Sequence, residues 1–361
     1  MRAADDPRHM AMLDRMRNPS RNVSRIDMDY LKNIQKLCKE DIQNDKTWIT
    51  APITISNNIE RTALNRAQAE QFAKMNGLHL YEWKIPLAQS DSTRRNPVQI
   101  PLIHENALYE NNQVLHGCFV QSAPAVLTTN INPLLGLANG TQVEMTSICL
   151  NAKEDQERIK NLLTQPDPET VIKLEHPTEY IAVKIINPTE SLKTHPNSNL
   201  STGPDVIIPI YAEMPVKVSV VYRKKFKLQY IPHGLDLAFS ITAHKIQGQS
   251  CDKLKIDLNK TPFMPSITFP SLYVMLSRVR TSANLRVLPL QQSSMQLNHL
   301  QNSYRNRNSS TGSNKHVRRF QSTLIKANLL NFKIKYYLNI IFSVISLHPS
   351  IPLILTIFQS S

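Results

Sequence analysis

Apolar and polar positions change rhythm sharply between residues 235 and 287. A largely apolar run, Leu235 to Ile241, gives way at Thr242 to the polar string Thr-Ala-His-Lys-Ile-Gln-Gly-Gln, which predicts a buried strand that ends in a loop and opens a helix. In open α/β sheets ligands bind beyond such strand ends. Leu254, Ile256 and Leu258 then alternate with Lys255 and Asp257, the period of a second strand. Leu272, Met275, Leu276 and Val279 recur at helical spacing, with Arg278 off that apolar stripe and Arg280 pointing elsewhere on the same helix.

Upstream the pattern predicts smaller elements. Ile26, Tyr30, Ile34 and Leu37 share one helical face, with Asp27 and Asp29 near its start and Lys36 and Lys39 near its end, the order a helix dipole favours. Ile49 to Ile55 reads as a β-branched strand, Ser56 to Asn58 as a loop of capping residues, and Ala63, Leu64, Ala67 and Phe72 as a helix that stops near Gly77. Leu78 to Leu115 shows little pattern, and Pro86, Pro97 and Pro101 predict connecting structure. Ala125 to Thr129 is a strand, followed by turns at Asn132-Pro133 and Asn139-Gly140. Between Gln142 and Lys227, proline-rich polar spacers separate short β-rich runs: Thr170 to Leu174, Tyr180 to Ile186, Val206 to Ile210 and Val216 to Tyr222.

Composition narrows the classes. The 361 residues suffice for two domains, and 41% hydrophobic residues for a sizeable core. The net charge of +14 is uneven: after Asp257 there are twelve Lys and Arg and no Asp or Glu, an asymmetry that suits a polyanion such as DNA. Cys38, Cys118, Cys149 and Cys251 stand far apart without a CxxC or flanking His pair, and read as reduced thiols rather than metal ligands or disulfides. Met1 is followed by charged RAADDPRH rather than a secretory signal, so a nuclear or otherwise intracellular, non-secreted protein is expected. Gln291 to Lys315, rich in Ser, Asn and Gln, predicts a disordered linker. Tyr336 to Phe358 is apolar but broken by His348-Pro349 and Pro352. A span needs about 20 apolar residues, so a membrane is not an expected partner; an interfacial helix, or a tail added by an imperfect gene model, are the other readings of this segment.

The strings ITAHKIQGQS and YVMLSRVR, in this order and about thirty residues apart, resemble the fifth and sixth motifs of superfamily-one DNA helicases, in the form found in the Pif-one and RecD-like branch. The resemblance implies that Thr242, His244 and Lys245 contact DNA and couple it to the motor. It implies Gln247 and Gly248 for the nucleotide cleft and Arg278 as the finger that reaches the γ-phosphate. RMRNPSRNVSRIDMDYLKNIQKLCKEDI is similar to the junction between the two motor domains. TWITAPITISNNIERTALNRAQAEQFAKMNG is similar to the opening strand, loop and helix of the second RecA-like domain, which implies Asn57 and Arg61 near the nucleotide. APAVLTTNINPLLGLANGT also resembles the branch, which inserts a small SH3-like barrel where the β-rich runs lie. The approach from Phe226 to Thr242 is longer than the branch's usual one, and the resemblance ends after Pro289.

The residue types suit that chemistry on their own terms. A fixed guanidinium meets charge on a transferring phosphoryl with two parallel donors, which an ammonium cannot match, and a glycine lets backbone approach closely. The ordinary readings stand beside these: Arg278 as a solvated or paired charge, His244 as a loop histidine, Asn57 as a cap and Arg61 as a surface charge. A complete motor also needs Gly-x-x-x-x-Gly-Lys-Ser/Thr and an acidic pair for magnesium. These 361 residues hold no Gly-Lys dipeptide, and no strand ending in Asp-Glu precedes the motifs.

The expectation is therefore an α/β fold, a RecA-like parallel sheet with a small β-rich, SH3-like insertion and a basic, partly disordered C-terminal tail. Residues 1–46 would be a helical linker, 47–141 and 226–290 the second RecA-like domain, 142–225 the insertion and 291–361 the tail. ATP, Mg²⁺ and single-stranded DNA are the implied ligands, with most nucleotide contacts supplied by a separate or upstream-encoded first motor domain. A Helitron-transposon source, a non-catalytic nucleic-acid-binding remnant and a membrane-anchored degenerate domain are the readings left open.

Overall fold

The computed structural model describes residues 5–17, 30–31, 33–55, 58–88, 102–165, 170–194, 203–222, 224–258, 267–288 and 338. It is a mixed α/β protein in two compact units, Met1–Ala67 with Phe239–His348, and Gln68–Ala238 with Pro349–Ser361. Ile26, Asn57, the linker Gln291 to Lys315 and, residue 338 excepted, the apolar segment Tyr336 to Phe358 lie outside the described residues. Among the described residues no helix is long and apolar enough to cross a membrane.

The first unit is built on a parallel sheet in the order Ser240–Thr242, Ile53–Ile55, Leu254–Ile256, Leu285–Val287. Every residue of these four strands is buried, as parallel sheets covered on both faces require. That corrects the half-exposed strand implied by Lys255 and Asp257, whose side chains are as buried as the leucines beside them. The run Leu235 to Ile241 is also two strands rather than one. Ala238 N–H donates to Pro124 C=O at 2.9 Å, while Phe239 C=O accepts from Ile53 N–H at 2.8 Å, so hydrogen-bonding partners switch between sheets across one peptide. An apolar run states that it is buried, not beside what.

Local signals near the N-terminus are partly overridden. Only Ile53–Ile55 of the predicted strand is extended, because Thr47–Thr50 forms a helical turn that begins where Asp45 Oδ1 accepts from Thr47 N–H at 3.0 Å. Residues 30, 31 and 33 are helical, but Lys36 and Leu37 leave the predicted helix to extend the sheet: Lys36 bridges Val287, and Leu37 N–H donates to Val287 C=O at 2.9 Å. The open edge of the last strand outcompetes one more helical turn. Lys39 then starts a new helix, Lys39–Asn44, instead of ending one.

The long helix Asn58–Met75 stops where expected. Gly77 adopts φ +62°, Leu78 N–H donates to Ala73 C=O at 2.8 Å and Gly77 N–H to Lys74 C=O at 3.4 Å, the two bonds of a Schellman cap.

The second unit holds a five-stranded antiparallel sheet in the order Leu235–Leu237, Pro124–Leu127, Gln142–Cys149, Tyr180–Ile185, Ile207–Tyr211. It crosses the boundary placed at Gln142, because Gln142–Cys149 pairs with strands on both sides of it. Val171–Lys173 joins another sheet, parallel to Leu80–Lys84, which also pairs with His116–Val120. The stretch read as connecting structure thus holds a strand, and beyond it the helix Leu102–Asn111. Val216–Tyr222 forms a hairpin with Lys224–Tyr230.

Candidate functional site

Thr242 ends the edge strand of the parallel sheet and begins a single helical turn, Ala243–Ile246. Ala243 and Ile246 are buried, so helical spacing turns His244 outward and leaves Lys245 half-buried. Thr242 itself is buried and offers least surface of the three residues implied for DNA contact. Gln247 and Gly248 are exposed. Gly248 stands at φ +89°, and a Cβ there would meet nothing within 4 Å. Glycine is thus required for the left-handed backbone and not, as the sequence suggested, for close approach.

The helix Phe269–Leu276 starts at Thr268, whose Oγ1 accepts from Ser271 N–H at 3.3 Å, and ends at Leu276 with Ser277 as its cap. Arg278 and Arg280 therefore lie in the turn beyond the helix, which corrects the placement of both on it. Arg280 is exposed, whereas Arg278 is 7% exposed. Its Nε donates to Val274 C=O at 2.8 Å, its Nη2 to Ser277 Oγ at 2.5 Å and its Nη1 to Gln249 C=O at 3.3 Å. Its own C=O accepts from Cys251 N–H at 2.9 Å. The loop after Thr242 and the turn bearing Arg278, about thirty residues apart in sequence, are thus joined through Gln249 and, just past the loop, Cys251.

Arg61 stands on the long helix behind the edge strand, buried, with Nε donating to Asn58 Oδ1 at 3.3 Å and its C=O accepting from Ser240 Oγ at 3.0 Å. It touches the strand that leads into Thr242 but not the Gln247–Gly248 turn through any of these bonds. Arg286, counted as part of the basic stretch, is buried: Nη2 meets Asp41 Oδ1 at 2.8 Å and the guanidinium lies 4.8 Å from the Trp48 ring centroid. Of the three described arginines after Asp257, Arg280 alone is exposed.

Sequence reasoning missed the groups that hold this site in place. Asn65, one helical turn past Arg61, clasps Ser240 through its amide, a spacing that could have been read. Lys255 is fully buried beneath the sheet, and burial pushes its amine down to about 7. Asp6 and His9 reach the Arg278 turn from the far end of the chain, and nothing in the sequence signals that. Among the described residues no group of three or more His, Cys, Asp or Glu is placed to hold a metal ion. None of the four cysteines is in a disulfide.

No protein-family model and no curated protein matches the sequence. Among solved structures the chain is similar to a Pif1 helicase from Candida albicans, at 16% identity over 84% of this chain and 59% of that one, with a TM-score of 0.44. It is similar to a Pif1 helicase from Bacteroides in complex with ADP-AlF3 and ssDNA, at 17% identity over 85% and 56%, TM-score 0.44. A further match is Bacteroides Pif1 bound to ssDNA, at 17% identity over 80% and 50%, TM-score 0.43. The chain spans between half and three-fifths of the length of these proteins. Likeness at this level does not bear on activity, which rests on the geometry of the site.

Proposed function

We propose that the chain is the second, RecA-like motor domain of a Pif-one-like ATP-dependent DNA helicase, acting on single-stranded DNA inside the cell. One observation carries this reading: the loop His244–Gln249 and the turn bearing Arg278 meet, with Arg278 Nη1 donating to Gln249 C=O at 3.3 Å. His244 and Lys245 present a donor and a charge to a phosphate backbone. A strand drawn across them would shift Gln249, and through that hydrogen bond the guanidinium. Strand position and arginine position are then coupled by one contact.

A nucleoside triphosphate bound here supplies the phosphoryl group to be transferred. In this chain Arg278, once its Nη atoms leave Ser277 and Gln249, would donate to a phosphate oxygen, with the exposed Gln247–Gly248 turn beside it. The phosphate-binding loop, the metal ligands and the water-activating carboxylate come from a first domain outside these residues. A second reading, a non-catalytic nucleic-acid-binding protein of the same fold, is favoured by the same arginine, since Val274, Ser277 and Gln249 already accept from its guanidinium.

Binding and turnover separate the two. Alone and with saturating single-stranded DNA, the chain is expected to release phosphate no faster than buffer. Lys245→Ala should reduce the log-log salt slope of DNA binding by about 0.7, one phosphate contact on a single strand, and Arg278→Ala should leave affinity unchanged. With a phosphate-binding first domain joined, Arg278→Ala should slow turnover by about 10³ to 10⁵ and Arg278→Lys should rescue little. Equal losses in Arg278→Ala and Arg280→Ala, or a loss confined to DNA binding, would establish the second reading.

A further inference from the structure

The turn that carries Arg278 is held at both ends by one short stretch near the N-terminus. At its start, His9 Nε2 lies 3.1 Å from Leu276 C=O. At its end, Asp6 Oδ2 accepts from Ser282 N–H at 2.9 Å and Ser282 O–H at 2.6 Å. The two anchors are one unit, because Asp6 Oδ1 also accepts from His9 N–H at 2.9 Å, which caps the helix Pro7–Arg17 one residue before its Pro7. Only residues 277–281 lie between the anchored positions.

The chemistry of the histidine end is determined. A carbonyl oxygen only accepts, so Nε2 carries the proton, and Nδ1 is left to accept the Tyr30 O–H 2.8 Å away. His9 is fully buried, its ring is stacked on Tyr30 with centroids 6.1 Å apart, and burial lowers its pKa, so the imidazole is neutral. The charged groups facing this pair are the Asp6 carboxylate and Arg8, whose guanidinium lies over the Tyr30 ring. Burial would raise the Asp6 carboxyl, but hydrogen bonds from Ser282 and His9 outweigh it and hold it at about 2.

We propose that Asp6 and His9 are positioning residues for Arg278, the first turn of the N-terminal helix setting where the guanidinium stands against the Gln249 carbonyl. The functional sense of this bracket rests on Arg278 acting as the finger. A turn that belongs to no helix or strand moves easily unless it is tied down, and a group that meets a transferring phosphoryl loses its effect when displaced by about 1 Å. Neither Asp6 nor His9 touches the loop His244–Gln249 through these bonds; they act through Leu276 and Ser282.

Amide hydrogen exchange on the full chain tests the bracket. His9→Phe keeps the ring and removes the Nε2–H donor. The amides of Cys251, which donates to Arg278 C=O, and of Arg278 itself should then exchange at least about tenfold faster, while those of Ile53 and Lys255 in the sheet keep their rates. His9→Gln, which carries an N–H, should restore much of the protection. Asp6→Ala should give the His9→Phe pattern. Ser282→Ala, which deletes one hydroxyl from the opposite anchor, should give it more weakly and serves if the others fail to fold. No change at Cys251 and Arg278, or equal acceleration in the sheet, would overturn the idea. Should Arg278→Ala leave turnover of the joined motor unchanged, the finger reading falls, while the exchange pattern still decides whether the bracket exists.

Discussion

Lys255 sits fully buried in the middle of the parallel sheet, and its amine donates to two backbone carbonyls, those of Trp48 at 2.8 Å and Ile49 at 3.3 Å. No carboxylate is among these partners, so the cost of burying an ammonium is met by shedding the proton, and its pKa falls to about 7. In the unfolded chain a lysine titrates near 10.4. Between about 7 and about 10.4 the unfolded chain therefore binds a proton that the folded chain has released, and stability rises with pH across that window, by up to about 1.4 kcal/mol per unit. Below it the penalty is constant. Urea denaturation of Lys255→Met between pH 7 and 10 should show that rise removed relative to the parent; a variant with the parent's slope would mean the amine stays charged. His9 works in the same sense on the acid side, since its lowered pKa makes stability fall as pH drops below about 6.5.

At the scale of elements, the edge strand Ser240–Thr242 is closed by a helix instead of a neighbouring strand. Ser240 N–H donates to Asn65 Oδ1 at 2.6 Å, Asn65 Nδ2 donates to Ser240 C=O at 3.2 Å, and Ser240 Oγ donates to Arg61 C=O at 3.0 Å. One side chain thus mimics a strand's paired donor and acceptor and occupies the outward backbone groups of Ser240. Asn65→Ala strands a buried N–H and a buried C=O, and should cost about 1–3 kcal/mol in chemical denaturation. The loss should come with faster amide exchange at Ser240. A cost below about 0.5 kcal/mol would show that the clasp is dispensable.

At the scale of the molecule, the two units differ in how far apart in sequence their contacts lie. The first unit joins residues 6–65 to 239–288, with side-chain contacts between these segments separated by 175 to 276 positions. The second is contained in Gln68–Ala238, apart from the C-terminal segment, and includes the hairpin Val216–Tyr222 with Lys224–Tyr230. Loop closure precedes the reward of non-local contacts, so the first unit should fold more slowly. Each unit holds one of the two tryptophans, Trp48 and Trp83, both buried. Refolding followed by Trp48 in Trp83→Phe should be slower, on the order of tenfold, than refolding followed by Trp83 in Trp48→Phe. Equal rates would mean that the units fold as one.

What the sequence by itself determined lies within a few residues of its own signal. The helix stop at Gly77, the turn at Asn139-Gly140 with Gly140 at φ +96°, and the strands Tyr180–Ile185, Ile207–Tyr211 and Val216–Tyr222 are legible because caps, turns and runs of β-branched residues act through local sterics and local hydrogen bonds. The change from buried strand to polar loop at Thr242 was legible too, though not the contact of that loop with the Arg278 turn. Tertiary structure alone decided that Leu235–Leu237 and Ser240–Thr242 enter different sheets, that Lys36 and Leu37 extend a strand, and that Lys255 is submerged with its leucine neighbours. It alone placed Arg278 in a turn and tied that turn to His9 and Asp6, 267 and 276 positions away from the residues they hold. Those outcomes depend on which distant backbone groups satisfy one another once water is excluded, a sum over the whole chain that no short window contains.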